Sequence, residues 1–65
     1  MDYATAVKNL RQKLLVSQSE LAKMLGVSFA TVNRWERGRF EPNYKAKRKL
    51  QGLFKKYGIT LEKKE

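Results

Sequence analysis

The chain has 65 residues, 42% of them apolar and 11% aromatic, and it contains neither cysteine nor histidine. This length allows one domain, and the lack of cysteine excludes disulfides and thiolate zinc sites as sources of stability. No apolar segment approaches the roughly 20 residues that span a bilayer. The first 16 residues are amphipathic and lack the apolar run of a signal peptide. We therefore expect a cytoplasmic protein that does not act at a membrane.

The formal net charge of +9 is unevenly distributed. Between Arg34 and Lys56, nine cations stand against only two glutamates, so this segment alone carries +7. A concentrated positive field attracts polyanions. DNA, RNA and an anionic membrane surface are all compatible with this charge, and the alternative is a lysine-rich surface that only serves solubility.

The residue inventory argues against catalysis. Without histidine and cysteine, the usual general base, thiol nucleophile and transition-metal ligands are missing. Asp2 is the only aspartate, the five glutamates are scattered, and no glycine-rich phosphate loop is present. We expect no enzymatic activity, no cofactor, no metal site and no small-molecule substrate.

The first half of the chain predicts two helices. Apolar residues recur at three- and four-residue spacings from about Asp2 to Leu15, which is typical of a helix with one buried face. Ser17 and Glu20 then have the spacing of a capping box, which begins a second, short helix. That helix is expected to end at Gly26 in a left-handed conformation.

A third helix is predicted from Phe29 to Arg37, with Ser28 as its N-cap and Gly38 after its end. Helical geometry at 100° per residue places its inner face around Val32. Trp35 and Glu36 share that inner face, and Phe29 lies at its margin. The residues that point the opposite way are Ala30, Asn33, Arg34 and Arg37.

A fourth helix is predicted from Tyr44 to Tyr57, after a loop that contains the only proline. Asn43 is its expected N-cap, and Gly58 ends it so that Ile59 folds back on Phe54 in a Schellman closure. The fold expected is a compact all-α bundle of four helices. Residues 1–60 form the domain, and the polar tail 61–65 frays.

The second and third helices are separated by so short a turn that they must cross at a steep angle. Their backbones then approach closely, which requires a small residue on the second helix, and Ala22 meets that need. The turn requires a positive φ at its first residue, and Gly26 meets that need. These features in register over twenty residues predict a helix-turn-helix motif.

The segments from Ser17 to Ser28 and from Thr31 to Gly38 resemble the lambda-repressor-like, Cro/C1-type helix-turn-helix domains of phage repressors and bacterial regulators. The resemblance extends over about residues 3 to 60. It implies that the third helix reads base edges in the major groove, that the protein regulates transcription, and that a homodimer binds a palindromic operator. Family members usually have a fifth helix that helps dimerisation. Here the segment 58–62 resembles its entry, and the chain then ends.

Base-reading residues are expected on the third helix. Arg34 suits guanine O6 and N7, and Asn33 suits adenine N6 and N7. Small side chains nearby suit a thymine methyl group, and Phe29 either joins them or belongs to the core. The residues predicted to contact bases are Phe29, Ala30, Thr31, Asn33 and Arg34.

Phosphate contacts are expected around that helix. Gln18 lies at the start of the second helix, where free N–H groups bind anions and where the resemblance implies a backbone contact. Ser28 caps the third helix, and the other candidates are cations. The residues predicted to contact phosphates are Gln18, Ser28, Arg37, Arg39 and Lys45; Lys47, Arg48 and Lys49 extend the basic surface.

Other polar and aromatic residues are interpreted as structural. Glu36 lies near the inner face of its helix and needs a partner there. Arg11 is the expected partner, and the resemblance implies an Arg–Glu pair at these positions. Trp35 and the tyrosines at 3, 44 and 57 are interpreted as core.

Three alternatives stay open. The same fold serves as a protein-interaction module, such as an antitoxin or corepressor subunit, which an apolar or acidic outer face of the third helix would favour. A basic amphipathic fourth helix could bind a membrane surface and would not need the tight turn at Gly26. RNA binding is less favoured, because no aromatic-rich sheet surface is visible in the sequence.

Overall fold

The computed structural model describes residues 3–59. Within this range the chain forms four α-helices and no strand: α1 (Tyr3–Leu14), α2 (Gln18–Leu25), α3 (Phe29–Glu36) and α4 (Tyr44–Tyr57). The expected all-α, four-helix architecture is confirmed. Asp2, the expected entry to a fifth helix beyond Ile59, and the polar tail 61–65 lie outside the described residues.

α1 ends in a closure that usually belongs to glycine. Leu15 has a φ of +58°, and its N–H donates to the carbonyl of Gln12 at 3.2 Å. The next N–H, that of Val16, donates to the carbonyl of Arg11 at 3.1 Å. This Schellman pattern satisfies the last carbonyls of the helix, but it holds a side-chain-bearing residue in the left-handed region.

α2 begins and ends as predicted. The Ser17 hydroxyl accepts the N–H of Glu20 at 3.1 Å, and the Glu20 carboxylate accepts the N–H of Ser17 at 2.8 Å, which completes the capping box. Gly26 has a φ of +74°. The N–H of Val27 donates to the carbonyl of Ala22 at 2.9 Å, so the chain turns at once towards α3.

α3 is one residue shorter than predicted. Ser28 caps it, and it ends at Glu36 rather than at Arg37. Arg37 has φ −86° and ψ −2° and serves as the C-cap, because Gly38 at φ +75° already closes the helix. The N–H of Gly38 donates to the carbonyl of Trp35 at 3.0 Å and the N–H of Arg39 to that of Arg34 at 3.1 Å, a Schellman closure that ends the helix.

The predicted ends of α4 are confirmed. The Asn43 carboxamide oxygen accepts the N–H of Ala46 at 2.9 Å. At the other end Gly58 has a φ of +72°, and the N–H of Ile59 donates to the carbonyl of Phe54 at 2.8 Å. The 14-residue helix is therefore held by local hydrogen bonds at both ends.

All four helices contribute to one core, in which α1 packs on α3 and α4, and α2 packs on the same two helices. Burial of these side chains is the main source of stability, since the chain has no cysteine. It also holds α3 by its inner face and leaves the opposite face outward. The buried apolar residues are Ala6, Val7, Leu10, Leu21, Ala22, Leu25, Val32, Trp35, Ala46, Leu50 and Phe54.

The tyrosines are not all core residues. Tyr3 and Tyr57 are half-buried against the core, and the ring centroid of Tyr3 lies 6.4 Å from that of Phe54. Tyr44 is 75% exposed, so its assignment to the core was wrong. As the first residue of α4 it points outward, and the guanidinium of Arg48, one turn later, lies 5.9 Å from its ring centroid.

Candidate nucleic-acid interface

A polar cluster lies where α1, α2 and α3 meet. Arg11 donates two hydrogen bonds to Glu36, from Nε to Oε2 at 2.7 Å and from Nη2 to Oε1 at 3.1 Å. The side chain of Glu36 is only 4% exposed and that of Arg11 is 24% exposed. The ion pair that the resemblance implied is therefore present and largely shielded from water.

This environment shifts the pKa of both groups. Burial alone would raise the pKa of Glu36, but hydrogen bonds from Arg11 and Gln18 and the positive charges of Arg11 and Lys8 together lower it. The hydrogen bond to Glu36 raises the pKa of Arg11. Both groups are therefore charged at neutral pH.

The cluster continues outward to two predicted DNA contacts. Gln18 Nε2 donates to Glu36 Oε1 at 3.0 Å, and Asn33 Nδ2 donates to Gln18 Oε1 at 3.3 Å. Gln18 and Asn33 are half-buried. The structure thus joins a residue assigned to phosphate with a residue assigned to a base. This contact was not predictable from the sequence, because the two residues lie on different helices and no spacing rule relates them.

The outward face of α3 carries three of the residues predicted to contact bases. Ala30 and Arg34 are exposed. Phe29 is 52% exposed. The sequence left open whether it belongs to the core, and its exposure places it at the surface. Trp35, on the opposite side, is buried as predicted.

Thr31 lies to one side of that face, beside the N-cap. Its hydroxyl lies 2.8 Å from the hydroxyl of Ser28, and its N–H donates to the same Ser28 oxygen at 3.1 Å. Ser28 therefore acts as the N-cap, as the sequence predicted. The Thr31 hydroxyl is thus engaged with the N-cap, and its methyl group is the part of the side chain that suits a thymine methyl group.

Arg34 has a partner that the sequence did not suggest. Its guanidinium carbon lies 5.7 Å from the ring centroid of Phe40, in the loop after α3, which is within the range of a cation–π contact. Phe40 is exposed. The two side chains border a groove of about 380 Å³ between α3 and the start of α4. In the sequence, only the presence of an aromatic residue, Phe40, a short distance after Arg34 could have indicated this contact.

The basic residues separate into two groups. Arg37, Arg39 and Lys45 are exposed around the end of α3 and the start of α4. Lys47 instead pairs with Glu41 at 3.2 Å and lies 5.3 Å from the ring centroid of Tyr3.

Lys49 also has an internal partner. Its ammonium donates to the carbonyl of Leu25, the last residue of α2, at 3.1 Å. Two of the four cations that begin α4, Lys47 and Lys49, therefore have partners within the protein. The expectation that Lys47, Arg48 and Lys49 extend the basic surface stays a prediction.

Within residues 3–59, no group of acidic, histidine or cysteine side chains could hold a metal ion. No helix of that same part of the chain is long and apolar enough to cross a membrane.

Comparison with known proteins gives one match. The family model described as helix-turn-helix matches residues 7–63. A search of curated proteins and a search of solved structures found no match. The matched range contains α2, the turn at Gly26, α3 and α4 in full. The chain therefore belongs to the Cro/C1-type helix-turn-helix family, a family of DNA-binding domains of transcription regulators.

Proposed function

We propose that this protein binds double-stranded DNA at specific sequences as a transcription regulator, with α3 in the major groove. The observation that carries the proposal is the division of α3 into two faces. Its inner face is anchored in the core by Val32 and Trp35, and its outer face presents exposed and polar side chains. A helix fits the major groove, and the second helix of this motif lies there with its outer face towards the base edges.

Arg34 and Asn33 carry the hydrogen-bonding part of base recognition. Arg34 is exposed and long enough to donate to guanine O6 and N7, and Asn33 can pair with adenine N6 and N7. Ala30, Phe29 and the methyl group of Thr31 supply apolar contact to thymine methyl groups. An acidic or broadly apolar outer face would have favoured a protein partner, and this face contains no acidic residue.

Phosphate contacts surround the recognition helix. Gln18 and Ser28 lie at the starts of α2 and α3, where unpaired N–H groups and the helix dipole favour an anion. Three exposed cations complete the set on the other side. They are Arg37, Arg39 and Lys45.

Two copies of the chain on a palindromic operator would match the usual arrangement of this motif. Recognition helices of such a dimer sit about 34–36 Å apart, one turn of the double helix. The spacing of half-sites in a selected operator therefore reports the dimer directly.

The test is selection from a randomised duplex library at about 150 mM salt, followed by sequencing of the bound DNA. We expect a half-site or a palindrome to be recovered. Equal retention of all sequences, fading as salt rises, would reject specific recognition and leave only electrostatic binding. Binding of no duplex at all would favour the protein-interaction alternative.

A further inference from the structure

We propose that Glu36 is a positioning residue, which sets the hydrogen-bond direction of the DNA-reading surface through Gln18 to Asn33. This inference rests on the proposed function, in which Gln18 meets a phosphate and Asn33 meets a base. It gives the buried ion pair a role in recognition in addition to its role in stability.

The first step is the orientation of Gln18. An ionised carboxylate only accepts hydrogen bonds. Glu36 is held in that form by two bonds from Arg11. The Gln18 atom 3.0 Å from Glu36 Oε1 must therefore be the amide nitrogen, and the reversed amide would place two acceptors against each other. Glu36 thus fixes which end of the Gln18 amide faces inward.

The second step is the orientation of Asn33. With the Gln18 nitrogen bound to Glu36, the Gln18 oxygen is left as an acceptor, and it lies 3.3 Å from Asn33 Nδ2. Asn33 therefore turns its nitrogen towards α2 and its oxygen away from it. The Glu36 carboxylate, whose side chain is only 4% exposed, therefore orients the Gln18 amide and, through it, the Asn33 amide at the surface of α3.

The consequence is a fixed order of donor and acceptor at the DNA. Asn33 keeps one N–H on the side of α2 and offers its oxygen on the other side. This order suits adenine, which presents an acceptor and a donor, in one orientation of the base pair. Guanine presents two acceptors and would face the Asn33 oxygen unfavourably. Gln18 keeps a second N–H, which suits a phosphate oxygen.

The main test replaces the ion pair without leaving a buried charge. The double variant R11M/E36M puts two apolar side chains of similar size in its place, a change that often leaves stability intact. The base pair read by Asn33 is first identified with Asn33→Ala. We expect the double variant to lose about fivefold to tenfold of its discrimination at that base pair, because Asn33 is then free to rotate. A folded double variant that discriminates as the wild type does would overturn the proposal.

Glu20→Gln is the matched control. It makes the same loss of a carboxylate, but at the surface, and glutamine still completes a capping box. Side-chain amide resonances of the free protein provide a second readout that needs no DNA. Those of Gln18 and Asn33 should move in R11M/E36M and stay in place in Glu20→Gln. Unmoved resonances in the double variant would also overturn the proposal.

Gln18→Met keeps the inference testable if the double variant does not fold. It breaks the connection and leaves the pair of Arg11 and Glu36 intact. We expect a uniform loss of affinity from the phosphate contact and, in addition, reduced discrimination at the Asn33 base pair. A uniform loss alone would overturn the proposal. If the wild type itself shows no sequence preference, the proposed function fails with it, and that result differs from an unaffected variant.

Discussion

Lys49 of α4 donates a hydrogen bond from its ammonium group to the carbonyl oxygen of Leu25, the last residue of α2, over 3.1 Å. That carbonyl is one of the helix-terminal acceptors without a partner inside its own helix. A cation at a helix C-terminus is also favoured by the helix dipole. The contact joins α4 to the turn that sets the position of α3.

Replacing Lys49 by methionine should therefore lower the free energy of unfolding by about 0.5–1 kcal/mol. The side chain keeps its apolar length and loses only the donor and the charge. Urea unfolding followed by the fluorescence of Trp35 measures the change. Lys45→Met, one turn earlier on the same helix, is the matched control and should leave the stability unchanged. Equal stability of the two variants would mean that the hydrogen bond to Leu25 contributes nothing.

In DNA binding the order is reversed: Lys45 should contribute and Lys49 should not. Lys45→Ala should weaken binding to all sequences alike and lower the slope of log affinity against log salt by about one. Lys49→Met should leave that slope unchanged, because its ammonium is already bonded to the protein. Titrations of one duplex at several salt concentrations give both slopes. An unchanged slope for Lys45→Ala would remove Lys45 from the phosphate contacts.

The ion pair of Arg11 and Glu36 makes stability depend on acid. The pKa of Glu36 is lowered in the folded state, so its contribution is fully present above the pKa of the unfolded chain and is lost as pH falls through the folded value. We expect Glu36→Gln to lower the free energy of unfolding at pH 7 by about 2–4 kcal/mol, because Arg11 is left without its carboxylate.

Unfolding of the wild type and Glu36→Gln between pH 7 and pH 3 checks this prediction. The difference between the two proteins should shrink as the acid limit is approached. Glu20→Gln is the surface control and should follow the wild type more closely. A difference that stays constant with pH would show that the Glu36 carboxylate is not the group that titrates.

Leu15 occupies a position that suits glycine. It has a φ of +58° and is 90% exposed, so it holds a strained backbone and buries little. Leu15→Gly should raise the free energy of unfolding by about 1 kcal/mol, because glycine adopts the left-handed region at no steric cost. Thermal unfolding measures the shift. Leu15→Ala, which keeps a Cβ, should not give this gain, and an equal gain in both variants would trace the effect to lost apolar exposure.

At Gly26, in contrast to Leu15, a glycine already occupies the left-handed position. Its φ of +74° is required by the turn between α2 and α3, and a Cβ there would meet only the end of the Lys49 side chain, at 3.6 Å. Space is therefore not the obstacle; the backbone conformation is, and for a β-branched residue it is least accessible. Gly26→Val should destabilise the domain and abolish DNA binding. Binding to anionic vesicles that survives this change would favour the membrane alternative based on α4.

Arg34 and Phe40 form a pair whose role can be separated by substitution. Arg34→Ala should relax specificity at one base pair and cost about 1–3 kcal/mol on the selected site. Phe40→Leu keeps an apolar side chain and removes the ring, so it should reduce that discrimination by a smaller amount, about 0.5–1 kcal/mol. Phe40→Tyr keeps the ring and should preserve it. An unchanged preference in Arg34→Ala would remove Arg34 from the base-reading residues.

The four helices were predictable almost to the residue, because local interactions along the chain set their boundaries. The capping box at Ser17 and the left-handed glycines at 26 and 58 act within one helical turn, and spacing along the chain reveals them. The left-handed conformation of Leu15 was not predicted, since a leucine side chain does not indicate it. The polar and basic character of the outer face of α3 was also predictable, because helical periodicity alone separates it from Val32 and Trp35.

Apart from the pair of Arg11 and Glu36, the contacts between side chains of different helices became visible only in the folded chain. Lys49 and Leu25 are 24 residues apart, and Gln18 and Asn33 are 15 apart. Such contacts depend on how the helices cross and on side-chain direction, which residue spacing within one helix does not define. The exposure of Phe29 and Tyr44 was decided in the same way. Each lies at the first position of its helix, where periodicity assigns a face but only the packed neighbours decide whether that face is covered.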